Sequence, residues 1–215
     1  TLDRDSRQLC PYEGIPSNRW VARPNAQVLY LSPRPGLGRI LRRVAQITPH
    51  HLLYLNSLFD PAFTLSFLWG RRWGWIPPRP VLLAPRGELH PGALRQKGIK
   101  KRIFLFLARR WGLYRGLYWH ATCQEERDDI LRHFGNEPGL EERIFVCRNL
   151  TPTSPCSVYT RPPKEAGQLR AVFLSRITPK KNLETAIALL SRAGENISLD
   201  VIGPVSDEDY WARCR

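Results

Sequence analysis

Arg176 and Lys181 stand five residues apart in the segment Phe173-Leu174-Ser175-Arg176-Ile177-Thr178-Pro179-Lys180-Lys181-Asn182-Leu183. The apolar run before Arg176 has strand character, and helical spacing begins after Asn182, so both cations leave one strand-to-helix loop. In an open α/β sheet, ligands bind beyond the carboxyl ends of the strands. A helix that starts there offers free N–H groups and the positive end of its dipole. Two cations beside such an end suit a pyrophosphate. Taken singly, each would be an ordinary solvated loop charge.

The elements that position this loop follow from the hydrophobic pattern. Brief apolar runs predict strands over 27–31, 52–55, 80–84, 118–122 and 143–147, and again over 171–174 and 199–203. They are apolar on both faces and bounded by Pro, Gly or polar residues, as buried parallel strands are. Helical spacing lies between them over 37–47, 61–73, 93–114 and 124–134, and later over 183–193. The fourth helix opens on Thr122-Cys123-Gln124-Glu125, which reads as a capping box with Thr122 as cap and Glu125 reaching back. This alternation predicts an α/β fold with a doubly wound parallel sheet. Residues 151–168, rich in Pro, Ser and Thr, read as a linker. A first domain therefore spans 1–150, and a second α/β unit opens at 169 and runs to 215.

Composition agrees with a folded protein, at 42% hydrophobic and 24% charged residues. No apolar run approaches the roughly 20 residues of a membrane-spanning helix. The polar opening Thr1-Leu2-Asp3-Arg4-Asp5 does not read as a secretory signal, and a start inside a domain is expected. The five cysteines include no C-x-x-C pair, so reduced, mostly buried thiols are expected rather than a disulfide framework or a metal set.

The 173–183 stretch resembles the opening of the C-terminal domain in group 1 (family four) retaining glycosyltransferases of the GT-B type. In that family an Arg and a Lys at this spacing contact the donor diphosphate, and a Gly or Asn follows the Lys, as Asn182 does here. Four further segments agree in order: VLLAPRGEL with Lys97 and the Lys100-Lys101 pair after it, WHATCQEERDDI, VCRNL around Asn149, and VIGPVSDEDYW. YLNSLFDP also resembles members that build bacterial surface polysaccharides. The family's Gly-rich first turn would lie upstream of residue 1 and its E-x7-E motif beyond Arg215. The chain is accordingly expected to be truncated at both ends, with an inactive remnant as one alternative.

The resemblance implies two Rossmann-like domains: an acceptor-side domain at 1–150, lacking its first strand, and part of a nucleotide-sugar-binding domain at 169–215. It implies transfer of a sugar from a UDP- or GDP-sugar to a lipid-linked glycan, with no cofactor and no metal. Arg176 and Lys181 are then donor-phosphate ligands, and Arg86, Gly87 and Lys97 lie on the acceptor side. Gly87 would admit a close backbone approach, and Arg86 a bidentate phosphate contact; a plain β-α turn explains the pair equally well. Glu88 and His120 are the catalytic candidates. For Glu88 a polar contact to the acceptor and a simple salt bridge are equal readings, and for His120 a satisfied core histidine is the usual one. The aromatics Trp111, Tyr114, Tyr118 and Trp119 read as packing.

Residues 1–150 hold 24 basic against 12 acidic residues, and 34–110 hold 15 basic against Asp60 and Glu88 alone. An anionic partner is expected there. A basic amphipathic helix around 99–114 makes peripheral contact with an anionic membrane one reading, beside plain packing on a sheet. The expected location is cytoplasmic, with the inner face of the membrane as its extension. A basic nucleic-acid-binding protein is the rival from another class, but no helix-turn-helix, aromatic RNP-like strand or zinc set is present, and no nucleic acid is expected as partner.

Overall fold

The computed structural model describes residues 1–5, 8–95, 98–150, 166–194 and 196–215. The chain divides into two units, Thr1–Thr151 and Pro152–Arg215. Of the linker expected over 151–168, positions 151–165 lie outside the described residues.

Strands β1 (Arg19–Arg23) and β2 (Ala26–Tyr30) pair antiparallel, Arg23 opposite Ala26, in a sheet of their own. Pro24 and Asn25 make the two-residue turn, where proline presets φ. The parallel strand expected over 27–31 is thus corrected. Residues 19–23 fold back onto it and take its ladder, leaving one isolated parallel bridge, Leu2 to Leu31.

Helix α1 (Leu37–Ile47) carries Leu37, Ile40, Leu41, Val44 and Ala45 at helical spacing and buries Leu41 and Ala45. Strand β3 (Leu53–Asn56) follows. Asp60 then starts a π turn over Pro61–Leu65, its carboxylate accepting from the amides of Ala62 and Phe63, and the chain continues as α2 (Ser66–Arg72). Next come β4 (Val81–Ala84), α3 (Pro91–Arg95), α4 (Gly98–Arg110), β5 (Tyr118–Ala121), α5 (Gln124–Phe134) and β6 (Ile144–Val146). The helix expected over 93–114 stops at Arg110 because Gly112 and Gly116 adopt φ of 64° and 69°, a region that ends helices.

Strands β3 to β6 form one parallel sheet in the order β3-β4-β5-β6. Each step moves one place in the same direction, so right-handed crossovers lay every connecting helix on one face. Burial confirms this. Leu55, Leu83, Trp119 and Ile144 enter a single core with α1, α2, α4 and α5. The alternate positions Tyr54, Tyr118 and Phe145 are exposed. The expectation of a doubly wound sheet is corrected for the described residues, since double winding requires the strand order to reverse. A parallel α/β sheet was expected and is present; its helices make one layer.

The second unit pairs β7 (Leu169–Leu174) with β8 (Ile197–Ile202) in parallel. Between them runs α6 (Leu183–Ser191), and α7 (Glu208–Cys214) follows. Asp207 caps α7 through the amide of Tyr210, and the Tyr210 hydroxyl accepts the Glu184 amide at the start of α6. Only Ile177, Leu183 and Tyr210 are buried in this unit's described core.

Candidate functional site

All four strands of the first sheet end at one edge, and polar side chains gather there. Asn56 ends β3, Arg86 lies two residues beyond β4, His120 sits near the end of β5, and Cys147 and Asn149 follow β6. Arg86 is their hub. Its Nε donates to Asn56 Oδ1 at 2.9 Å and one terminal nitrogen donates to the Tyr54 hydroxyl at 2.9 Å. The other donates to Asn149 Oδ1. A guanidinium has five N–H groups, so two remain for a ligand.

The network runs on in one consistent direction. Tyr54 OH lies 2.5 Å from His120 Nδ1, and His120 Nε2 lies 2.7 Å from the Cys147 carbonyl. A carbonyl only accepts, so Nε2 carries a proton, and in the neutral ring Nδ1 then accepts from Tyr54. Tyr54 in turn accepts from Arg86. Both ring nitrogens of His120 are thus engaged, one by Tyr54 and one by the Cys147 carbonyl.

Backbone conformation sets up this edge. Ser57 after β3 and Arg86 after β4 have φ of 81° and 56°, a left-handed region that costs a non-glycine residue roughly 1–2 kcal/mol. Gly87 follows at 73°, where glycine is the unstrained choice. A Cβ on Gly87 would meet no atom within 4 Å, so its dihedral, not a crowded neighbour, requires glycine.

The Gly87 amide is already occupied: it donates to Glu126 Oε1 at 2.7 Å. Glu126 Oε2 accepts both the amide and the hydroxyl of Thr122, each at 2.7 Å. One buried carboxylate thereby ties the loop after β4 to the loop after β5. Burial pushes the Glu126 carboxyl up, but hydrogen bonds from Thr122 and Gly87 and the nearby Arg86 charge hold it below its ordinary value. The expected capping box is corrected by one position. Glu126, not Glu125, takes the Thr122 amide, and Cys123 is the cap residue without a side-chain bond.

Glu88 also turns to the backbone. Its oxygens accept from the Ser57 hydroxyl at 3.0 Å and from the amides of Leu58 and Phe59 at 2.5 and 3.3 Å. The partner is the loop after β3, not the cation of a salt bridge, and Glu88 acts as a strut for that loop. Tyr114, fully buried, donates its hydroxyl to the Leu58 carbonyl at 2.9 Å. Burial and then the Glu88 charge raise its phenol above the ordinary range. Lys97 lies outside the described residues.

In the second unit, Arg176 and Lys181 are both exposed, and neither meets a carboxylate among the described residues. Lys181 closes a 3-10 turn over Pro179–Lys181, and Asn182, at φ 58°, caps α6 directly after it. The two loops at this sheet edge touch: Ile177 bridges Val205. Gly203, at φ 148°, lies where a Cβ would come within 2.0 Å of the Ser175 carbonyl oxygen. Arg176 is therefore carried on a loop packed against its neighbour.

Tyr54, Asn56 and Glu126 were not picked out from sequence, although the first two lie in the YLNSLFDP stretch. Among the described residues no three His, Cys, Asp or Glu side chains group as metal ligands would, and no helix is long and apolar enough to cross a membrane. The expectation of mostly buried thiols is corrected: Cys10, Cys123 and Cys147 are exposed. No protein-family model matches the chain, and no characterised protein matches it in sequence.

Proposed function

We propose that the chain carries the acceptor-side domain and the opening of the donor domain of a GT-B glycosyltransferase. The reaction moves a sugar, with retention, from a UDP- or GDP-sugar to a hydroxyl of a lipid-linked glycan in polysaccharide biosynthesis. One observation carries this reading. Arg176 and Lys181 stand exposed at the carboxyl edge of a parallel strand pair, beside the start of α6, with no carboxylate partner among the described residues. A diphosphate gains charge as its bond to the sugar breaks, so cations fixed there act most strongly on the transition state. In the first unit Arg86 and Tyr54 face the acceptor role, while His120, Glu88 and Glu126 hold their loops.

Calorimetric titration of the chain with UDP and with GDP tests the reading. Binding with a dissociation constant on the order of 1 mM is expected for one of them. Arg176→Ala and Lys181→Ala should each weaken it by about tenfold or more, the size of a charge-assisted hydrogen bond, whereas Lys180→Ala should change little. No binding of either nucleotide, or binding that survives both substitutions, refutes the assignment. In a complete enzyme the same two substitutions should also lower kcat, each removing roughly 2–4 kcal/mol of transition-state stabilisation.

A further inference from the structure

Helices α2, α4 and α5 all run toward the amino edge of the first sheet, and a cavity of about 820 Å³ opens between their ends and the turn before β5. Arg71 and Arg72 reach it from the end of α2, Arg109 and Arg110 from the end of α4, and Arg115 from the turn. Among the described residues none of the five meets a carboxylate. The acidic side chain in the wall, Glu137, is already taken by Arg143 and the Gly116 amide. Each helix end carries roughly half a negative charge, so three ends offset about 1.5 of the five positive charges and leave about 3.5. Helix dipoles alone do not account for such a cluster.

The walls are held in place before any ligand arrives. Arg71 donates to the Arg115 carbonyl at 3.0 Å, and the Gly116 amide donates to Glu137 at 2.8 Å, so the turn is tied on both sides. A Cβ at position 116 would stand 3.3 Å from a terminal nitrogen of Arg71. The buried rings of Tyr114 and Phe134, with centroids 5.3 Å apart, supply an apolar part of the lining. Trp111, expected as packing, does lean on Trp69 at 5.7 Å, yet 51% of it stays exposed. Fixed cations and aromatic faces thus share one concave site, as in a small-ligand pocket.

We propose that this cavity binds a soluble nucleoside polyphosphate, at a site separate from the donor loop. The arginines take the phosphate chain, because their planar forks match phosphate oxygens, and the exposed indole of Trp111 takes the base by stacking. The residual charge selects a chain of phosphates, since one phosphate monoester brings only about 1.5–2 negative charges. The volume of about 820 Å³ lies within the roughly 300–1,000 Å³ of small-ligand pockets. A single exposed indole in the lining favours one nucleotide over a nucleic-acid strand, which needs successive stacking faces along a groove. The bound ligand bridges α2, α4 and the turn before β5, and so acts on the first unit from the edge away from Arg86.

The experiment is calorimetric titration of the chain with ATP, inorganic tripolyphosphate and inorganic phosphate. ATP is expected to bind with a dissociation constant on the order of 100 μM, tripolyphosphate about tenfold more weakly for want of a base, and phosphate more weakly again. The pair Arg72→Glu and Arg110→Glu should weaken ATP and tripolyphosphate by about tenfold or more. Trp111→Ala should weaken ATP by about tenfold and leave tripolyphosphate unchanged. Arg19→Glu with Arg23→Glu, an equal charge change on the hairpin, should alter either by no more than about twofold. Arg176→Ala and Lys181→Ala should change ATP binding little. UDP and GDP titrations repeated in the Arg72→Glu, Arg110→Glu variant report the donor loop alone, so the two readings fail separately. ATP binding that survives the arginine pair, or an equal loss in the hairpin pair, would overturn the proposal. So would equal affinity for ATP and tripolyphosphate, or release of bound ATP by an oligonucleotide or by phosphatidylglycerol vesicles at a lower phosphate concentration than free ATP needs.

Discussion

The Tyr54 hydroxyl and His120 Nδ1 meet at 2.5 Å although their strands, β3 and β5, are separated by β4. In the register, Tyr54 stands opposite Leu82 of that intervening strand. Two strands that share no backbone hydrogen bond are thereby joined through side chains on the open face of the sheet.

A double-mutant cycle with Tyr54→Phe and His120→Ala measures that join. The coupling should be about 0.5–1.5 kcal/mol in urea unfolding, and Tyr54→Phe alone should lower Tm by about 2–4 °C. A coupling indistinguishable from zero would mean that the bond adds nothing to the edge.

Arg86 offers a comparison of two truncations. Arg86→Ala loses three hydrogen bonds and keeps a Cβ at φ 56°. Arg86→Gly loses the same bonds but removes the left-handed strain. The glycine variant should be the more stable of the two by about 1 kcal/mol. If alanine proves equal or better, the backbone there is not strained in solution.

Glu126 makes stability depend on pH with a definite sign. Its folded-state carboxyl titrates below the ordinary value of 4.5, so it contributes stability above that value and loses it as pH falls through the folded one. Glu126→Gln, which presents an amide to three donors, should cost about 1–3 kcal/mol at neutral pH. The gap between variant and parent should narrow below pH 4.5. A gap that widens on acidification would contradict this account.

Gly203 tests the second unit. An added methyl would overlap the Ser175 carbonyl, and the φ of 148° is open to glycine almost alone. Gly203→Ala should therefore cost roughly 3 kcal/mol or more, which a core of three buried side chains is poorly able to absorb. Hydrogen exchange across β7 and β8 should accelerate, while β3 to β6 stay protected. Unchanged exchange in β7 and β8 would show that the loops part without cost.

The strands of the main sheet were legible because each is a short apolar run between punctuating residues. Its winding was not. Tyr54, Tyr118 and Phe145 read as apolar in a sequence, yet they stand on the open face, where their rings tolerate water. The hairpin was missed although Pro24-Asn25 marks its turn, because its first strand offers only the three apolar residues Trp20-Val21-Ala22 between Arg19 and Arg23. At the site, the Arg86-Gly87-Glu88 loop and His120 were legible as residues, but not what they touch. Asn56 and Asn149 lie 30 and 63 positions from Arg86, and local spacing carries no trace of such bonds. Glu126 was missed by one residue, because a capping pattern does not say which of two adjacent glutamates faces back along the helix.

The strand order has a kinetic consequence. Paired residues in the main sheet are 28, 36 and 25 positions apart (Leu53 with Val81, Leu82 with Tyr118, Trp119 with Ile144). Each interval is little more than one helical crossover needs, and the entropy of closing such loops grows only logarithmically with length. Parallel sheets fold slowly when early strands must wait for distant partners. Here each strand finds its neighbour in the next one made, so the sheet grows by successive local additions from β3 to β6, in the order of translation.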